Sequence, residues 1–264
     1  MTDYFILTRK NSSYHAVIKT KKMKTIGIVG GLGTEASCSF CLNINHQIKR
    51  RHQVQPHLIM DNVPISMAAE NIIAKAGHCR EVEELLGASV RRLNQADAHL
   101  IVIPCNTVHI YLNQLREISS VPILSIIEET AKACQNFKKV GLLASTTTIK
   151  SNLYQRELEK QAIDLLIPNS VDQAFMSDCI LRIINLQATS QDTERMQKII
   201  EDFRSQGAQA IILGCTDLFL IVSQQNISVP LINSTAVLEN AVVSWLSQEN
   251  NNSKSNNNVG GYNI

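Results

Sequence analysis

The sequence predicts an α/β fold: two pseudo-symmetric parallel-sheet domains, copies of one duplicated module, with a site in the cleft between them. Three observations lead there. Short β-branched runs alternate with longer amphipathic stretches, the pattern of βα units in parallel sheets. Segments of the first half recur in the second half in the same order. One cysteine then falls at the matched place in each half, Cys105 and Cys215.

The strand segments are, in order, 25–29, 57–61, 99–103, 121–124, 139–143, 163–167, 209–213 and 229–232. Helical patterns fill the gaps. Over 78–96, for example, Val82, Leu85, Leu86, Val90 and Leu93 recur at helical spacing. The repeat aligns Lys24-Thr-Ile-Gly-Ile-Val with Lys138-Lys-Val-Gly-Leu-Leu, and pairs Thr34 with Thr148 and Ser37 with Ser151. It then aligns Ala98-His-Leu-Ile-Val-Ile-Pro-Cys105 with Ala208-Gln-Ala-Ile-Ile-Leu-Gly-Cys215, and Val121-Pro-Ile-Leu with Val229-Pro-Leu-Ile. Polar and glycine positions match as well as apolar ones, which separates a duplication from chance likeness between buried strands. Residues 1–22 are polar and aperiodic and are expected to be an N-terminal extension. The Asn/Ser-rich stretch 249–264 is expected to be a disordered tail. Between them the expected domains are 24–118 with 225–248, and 119–224.

Composition narrows the function. A net charge of +2 with 18% charged residues, the basic ones scattered, points away from nucleic acid and from an anionic membrane. No apolar run approaches the roughly 20 residues of a membrane helix. The N-terminus lacks a signal-peptide core, so a cytoplasmic protein is expected. Seven cysteines without framework spacing are then expected to be reduced thiols.

Cys105 and Cys215 each follow a buried strand, at the carboxyl end where open α/β sheets bind ligands. A helix beginning there would favour thiolate over thiol. Asn106, Thr107, Thr216 and Asp217 add short polar groups suited to capping or to holding a small zwitterion. Cys38, Cys41, Cys79, Cys134 and Cys179 are read as inert buried side chains. Two thiols facing each other across a cleft can remove a proton from one face of a carbon and return one to the other.

Lys24-Thr-Ile-Gly-Ile-Val-Gly-Gly-Leu-Gly-Thr-Glu-Ala, Pro104-Cys-Asn-Thr-Val-His109 and Leu213-Gly-Cys-Thr-Asp217 together resemble the aspartate/glutamate racemase family, over essentially all of 24–248. Gly30-Gly-Leu-Gly33 resembles the aspartate-racemase branch. The resemblance implies two pseudo-symmetric domains, a homodimer, an amino-acid substrate, and Cys105 and Cys215 as acid and base without pyridoxal phosphate or another cofactor. It further implies Asn106, Thr107 and Thr216 as binders of the substrate's amino and carboxylate groups, with Thr146 and Thr148 as further carboxylate contacts. Three departures stand out. Asp217 replaces the family's common Glu, and Thr34 its common Pro. The segment Asp61-Asn-Val-Pro-Ile-Ser-Met-Ala-Ala-Glu70 lacks the Arg that often holds an aspartate side chain, a role Arg156 could fill from the other domain.

Other readings compete. Gly31-Leu-Gly33-Thr-Glu-Ala36 fits a dinucleotide fingerprint with Asp61 as the ribose acid, which would make the protein a nucleotide-binding oxidoreductase. The matched loop Ala144-Ser-Thr-Thr-Thr148 carries no such glycines. Cys38, Cys41 and His46 give at most three metal ligands, so no metal site is expected. His109 could tune the Cys105 thiolate or act structurally. An isomerase, decarboxylase or binding protein on the same fold is the remaining alternative, separable by deuterium exchange at Cα.

Overall fold

The computed structural model describes residues 6–10, 13–17 and 24–255. β1 (Ile6–Lys10) and β2 (Ser13–Val17) pair antiparallel, Ile6 opposite Val17 and Lys10 opposite Ser13. The extension expected over 1–22 thus contains a strand pair. Two five-residue strands paired only with each other impose no long alternation, so the pattern of the sequence does not mark them.

The first half runs β3 (Thr25–Gly30), α1 (Thr34–His52), β4 (His57–Asn62), α2 (Met67–Lys75), α3 (Arg80–Gln95) and β5 (Leu100–Val102). A 3-10 turn (Thr107–Tyr111), α4 (Leu112–Ile118), β6 (Ile123–Leu124) and α5 (Ile126–Ala133) complete it. The second half runs β7 (Lys139–Ala144), α6 (Thr146–Lys150), α7 (Leu153–Glu159), β8 (Asp164–Leu166), α8 (Ser170–Ile184) and α9 (Ser190–Ser205). It ends with β9 (Ala210–Gly214), two short 3-10 turns, β10 (Leu231–Asn233) and α10 (Ser234–Ser255).

All eight expected body strands form, in two four-stranded parallel sheets ordered β4-β3-β5-β6 and β8-β7-β9-β10. The order is the same in each, as a duplicated module requires. The last strand of each is shorter than its apolar run because Pro122 and Pro230 have no N–H for the ladder. Their carbonyls still accept from Ile101 and Ile211, each at 2.9 Å.

Sheet membership departs from the expected domain boundaries. β6, within 119–224, pairs with β5 of the first sheet; β10, within 225–248, pairs with β9 of the second. Each copy keeps its own Val-Pro strand, and only α10 returns, packing on α5 and α1. That helix continues to Ser255, so the expected disordered tail begins as helix, and 256–264 lie outside the described residues.

Burial follows the pleat. Ile26, Ile28, Leu100 and Val102 of the first sheet share one core cluster with Val140, Leu142, Ala144, Ala210 and Ile212 of the second. Residues of α1, α5, α7 and α10 fill the space between them, including Phe40, Ile44, Ile126, Tyr154, Leu238 and Val242. Alternate residues face outward: Val29, Ile101 and Ile103 onto α2–α4, and Leu143, Ile211 and Leu213 onto α8 and α9. The architecture is therefore five layers, helix, sheet, helix, sheet, helix, with the middle layer common to both halves.

The β3–α1 loop needs one glycine in particular. Gly31 has φ +90°, and a Cβ there would lie 2.3 Å from the Val63 carbonyl oxygen. Gly31→Ala combines left-handed strain with a backbone clash and should cost about 2–4 kcal/mol. Chemical denaturation measures this, and an unchanged midpoint would contradict the loop geometry.

Candidate active site

Cys105 leaves β5 with its N–H bonded to the Ile103 carbonyl at 2.8 Å. Its own carbonyl accepts from His109 Nδ1 at 2.8 Å, while His109 Nε2 accepts the Ile126 N–H at 3.2 Å. Those two bonds require the neutral imidazole, and burial holds its pKa down to about 4. His109 therefore ties the Cys105 backbone to α5 and supplies no positive charge to the thiol.

The N–H groups of Thr107 and Val108 do favour a Cys105 thiolate, as a helix start should. Burial outweighs them, the Asp217 and Glu70 carboxylates add to it, and the thiol is pushed up to about 11. The expected thiolate preference is thus reversed, because burial outweighs the N–H groups of the 3-10 turn into which β5 leads. Cys215 behaves alike. Burial and then Asp217 raise it well above the ordinary thiol value, against the N–H groups of Asp217 and Leu218. Its Sγ lies 4.0 Å from Asp217 Oδ2, and Cys105 is close enough to raise it further.

Asp217 is 6% exposed, and burial pushes it up to about 6 with help from Glu35 and Glu70, although the Thr216 hydroxyl lowers it. Glu35 stands in the first turn of α1, next to Gly33, where a Cβ would come 3.3 Å from Asp217 Oδ2. Glu70 on α2 is itself raised, by burial and by Glu35. Every side-chain charge bearing on the two cysteines is negative. Two basic residues after the second body strand are engaged elsewhere: Lys75 pairs with Asp178 at 2.6 Å and Arg92 with Asp61 at 2.7 Å.

The other expected site residues divide. Thr107 and Thr148 meet across the halves at 3.3 Å, joined by Ser145, which lies 2.9 Å from each. Ser145 carries no mark in the sequence because it matches Gly31 in the repeat and so looks like a plain loop residue. Thr146 turns away from them to Ser177 at 2.6 Å, with Gln173 at 3.3 Å. Thr216 is 3% exposed and bonds Asp217 at 3.5 Å. Asn106 is 1% exposed with both amide atoms engaged, so it caps nothing and faces no open space. Arg156 is exposed and bonded to the Ser151 and Asn152 carbonyls. It lines a cavity of about 340 Å³ with His109, Ser125, Glu128 and Glu157 that includes neither cysteine.

Cys79, Cys134 and Cys179 are buried as expected, but Cys41 is half-buried and Cys38 exposed, on the outer face of α1. No cluster of three metal-ligating side chains occurs among the described residues. No described helix is long and apolar enough to cross a membrane. The dinucleotide reading loses its chemistry too. The Asp217 carboxylate occupies the approach to the α1 N-terminus where a pyrophosphate would sit, and Asp61 is held by Arg92.

Two thiols at matched strand ends, over a floor of hydroxyls and carboxylates, suit proton transfer at a small polar substrate. Residues 29–242 match the Asp/Glu/Hydantoin racemase family. The chain belongs to that family. The broad specificity amino-acid racemase RacX of Bacillus subtilis (strain 168) is 27% identical over 225 residues, 83% of this chain and 96% of the relative. An aspartate racemase of Picrophilus torridus superposes with a TM-score of 0.72 at 23% identity, over 85% of this chain and 94% of that one. An aspartate racemase homologue from Pyrococcus horikoshii OT3 gives 0.69 at 24%, over 85% and 100%. Those two structures establish that the racemase fold is shared.

Asp217 makes stability of this racemase-family chain pH-dependent. Its folded pKa lies above its unfolded value, so its contribution is whole below about pH 4 and is lost as pH rises through about 6. Relative to wild type, Asp217→Asn should gain on the order of 2–3 kcal/mol between about pH 4 and pH 7. Denaturation at the two pH values tests this; a difference independent of pH would refute the raised carboxyl.

Proposed function

We propose that the protein racemises a free amino acid at Cα by passing a proton between Cys105 and Cys215, without pyridoxal phosphate. The observation that carries this reading is the pair of cysteines at matched strand ends, within electrostatic reach of each other, in a chain of a racemase family. One cysteine, as thiolate, takes the Cα proton from one face. The other, as thiol, delivers a proton to the opposite face, and the roles are exchanged for the other enantiomer. The Thr107, Ser145 and Thr148 hydroxyls suit an α-carboxylate, and Asp217 with Thr216 suits the α-ammonium. The bound ammonium would offset the negative surroundings that hold both thiols protonated.

Aspartate, with glutamate second, is the substrate the family resemblance implies. The charges around the cleft favour another side chain. Glu35, Glu70 and Asp217 would repel a second substrate carboxylate, and the charges that bear on the two thiols include no Arg or Lys among the described residues. The reading adopted is an amino acid with a neutral or cationic side chain, which the likeness to a broad specificity racemase supports. Aspartate is the second reading. A homodimer is inferred from the resemblance alone.

L- and D-forms of lysine, arginine, alanine, aspartate and glutamate, each incubated in deuterium oxide, test the proposal. Inversion should carry deuterium into Cα, and Cys105→Ser or Cys215→Ser should lower it by at least about 100-fold. A mutant that inverts at the wild-type rate sinks the two-thiol reading. Faster turnover of aspartate than of lysine or alanine restores the acidic substrate.

A further inference from the structure

One buried hydrogen-bonded chain joins the segments that carry the two cysteines. Tyr154, on α7 and fully buried, donates its hydroxyl to Asn106 Oδ1 at 2.6 Å. Asn106 Nδ2 donates to Ser234 Oγ at 3.0 Å, and Ser234 Oγ donates to the Leu213 carbonyl at 2.8 Å. Asn106 is the residue after Cys105. Leu213 lies on β9, two residues before Cys215. Ser234, the first residue of α10, is 0% exposed.

The chain is not a by-product of the duplication. The repeat that matches Val121 with Val229 also matches Ile126 with Ser234, and the one that matches the cysteines matches Asn106 with Thr216. Both partners change at the symmetric place: an isoleucine stands for the serine and a threonine for the asparagine. Ile126 there offers only its backbone N–H, which goes to His109. A link of three polar side chains in a dry core persists only when every member is satisfied, and all three are.

We infer that Tyr154 and Ser234 are positioning residues, which through Asn106 hold the Cys105 turn in register with the strand that delivers Cys215. The inference rests on the two-thiol reading for its kinetic consequence. Removing either group leaves the protein able to abstract a proton with one thiol, but misplaces the second thiol that must reprotonate the opposite face. Abstraction and inversion then separate.

The experiment compares Tyr154→Phe and Ser234→Ala with wild type on the best substrate from the amino-acid panel, in deuterium oxide. Wild type should place deuterium in the inverted product and almost none in recovered substrate. Each variant should lower kcat roughly 10- to 100-fold, with KM within about threefold, and should raise deuterium in recovered substrate relative to product. The double variant should lose no more than the worse single one, since both act through Asn106. Wild-type kcat and an unchanged exchange-to-inversion ratio in both variants would overturn the inference, as would a loss confined to thermal stability. Tyr154→Phe removes one oxygen atom and keeps the test available should Ser234→Ala not fold. If wild type racemises nothing, the two-thiol reading fails separately. The link is then judged by the yield of Cys105–Cys215 bridging with a short thiol-reactive bis-electrophile (a bis-alkylating reagent), located by peptide mass mapping. A lower yield in both variants supports it, and an equal yield overturns it.

Discussion

Both sheets turn an apolar face to the same layer of helices, and the placement of everything polar depends on that shared contact. In a chain with two separate cores, the halves could swivel against each other at small cost. Here Ile28 and Val102 on one side and Leu142 and Ile212 on the other belong to one continuous cluster with residues of α1, α5, α7 and α10. A close-packed interior resists displacement. The carboxyl ends of β5 and β9 are thus held at a set separation by core packing, and the loops beyond them inherit it.

The surroundings of the two cysteines at those strand ends are electrostatically one-sided. Burial already disfavours a thiolate at both cysteines, and the neighbouring carboxylates act in the same direction. A resting site of two thiols is chemically quiet, which protects it from alkylation and oxidation, since the thiolate is the reactive form. The same surroundings attract cations. On the proposed reading, a zwitterionic substrate would bring its own positive charge to the two thiols, so that binding and thiol activation would be one event. The missing arginine and the acidic residues around Asp217 therefore bear on the substrate in the same direction.

Much of the fold was legible because it rests on repetition. Eight apolar runs marked eight strands, and the matched Val-Pro segments marked the end of each copy. The sheet that each Val-Pro strand joins was not legible, because for a two- or three-residue strand that depends on its ladder partner, Ile101 or Ile211. The candidates Cys105, Cys215, Thr107, Thr148 and Asp217 could be named from motif and strand position. Ser145, Tyr154 and Ser234 were not, since their roles are set by contacts across some 38, 48 and 128 residues of chain. The thiol acidity was misjudged for a related reason. Helix-start N–H groups can be read locally, whereas burial and the charges of Glu70 and Asp217 belong to the folded cleft.

The duplication also explains why the site can be both symmetric and directional. The proposed proton transfer from two faces calls for equivalent groups, and the repeat offers Cys105 and Cys215 for it. A zwitterion, however, must lie in one orientation, or each enantiomer would present its hydrogen to either thiol indiscriminately. Equivalent flanks could not impose that orientation. The copies differ in chemistry at the position two residues beyond each cysteine: a hydroxyl at Thr107, joined to Ser145 and Thr148, against a carboxylate at Asp217. One end of the cleft therefore offers donors and the other a negative charge. On the proposed two-thiol mechanism, this divergence of two matched residues would give a symmetric pair of thiols a fixed polar axis, across which Cα would be held while its proton changes sides.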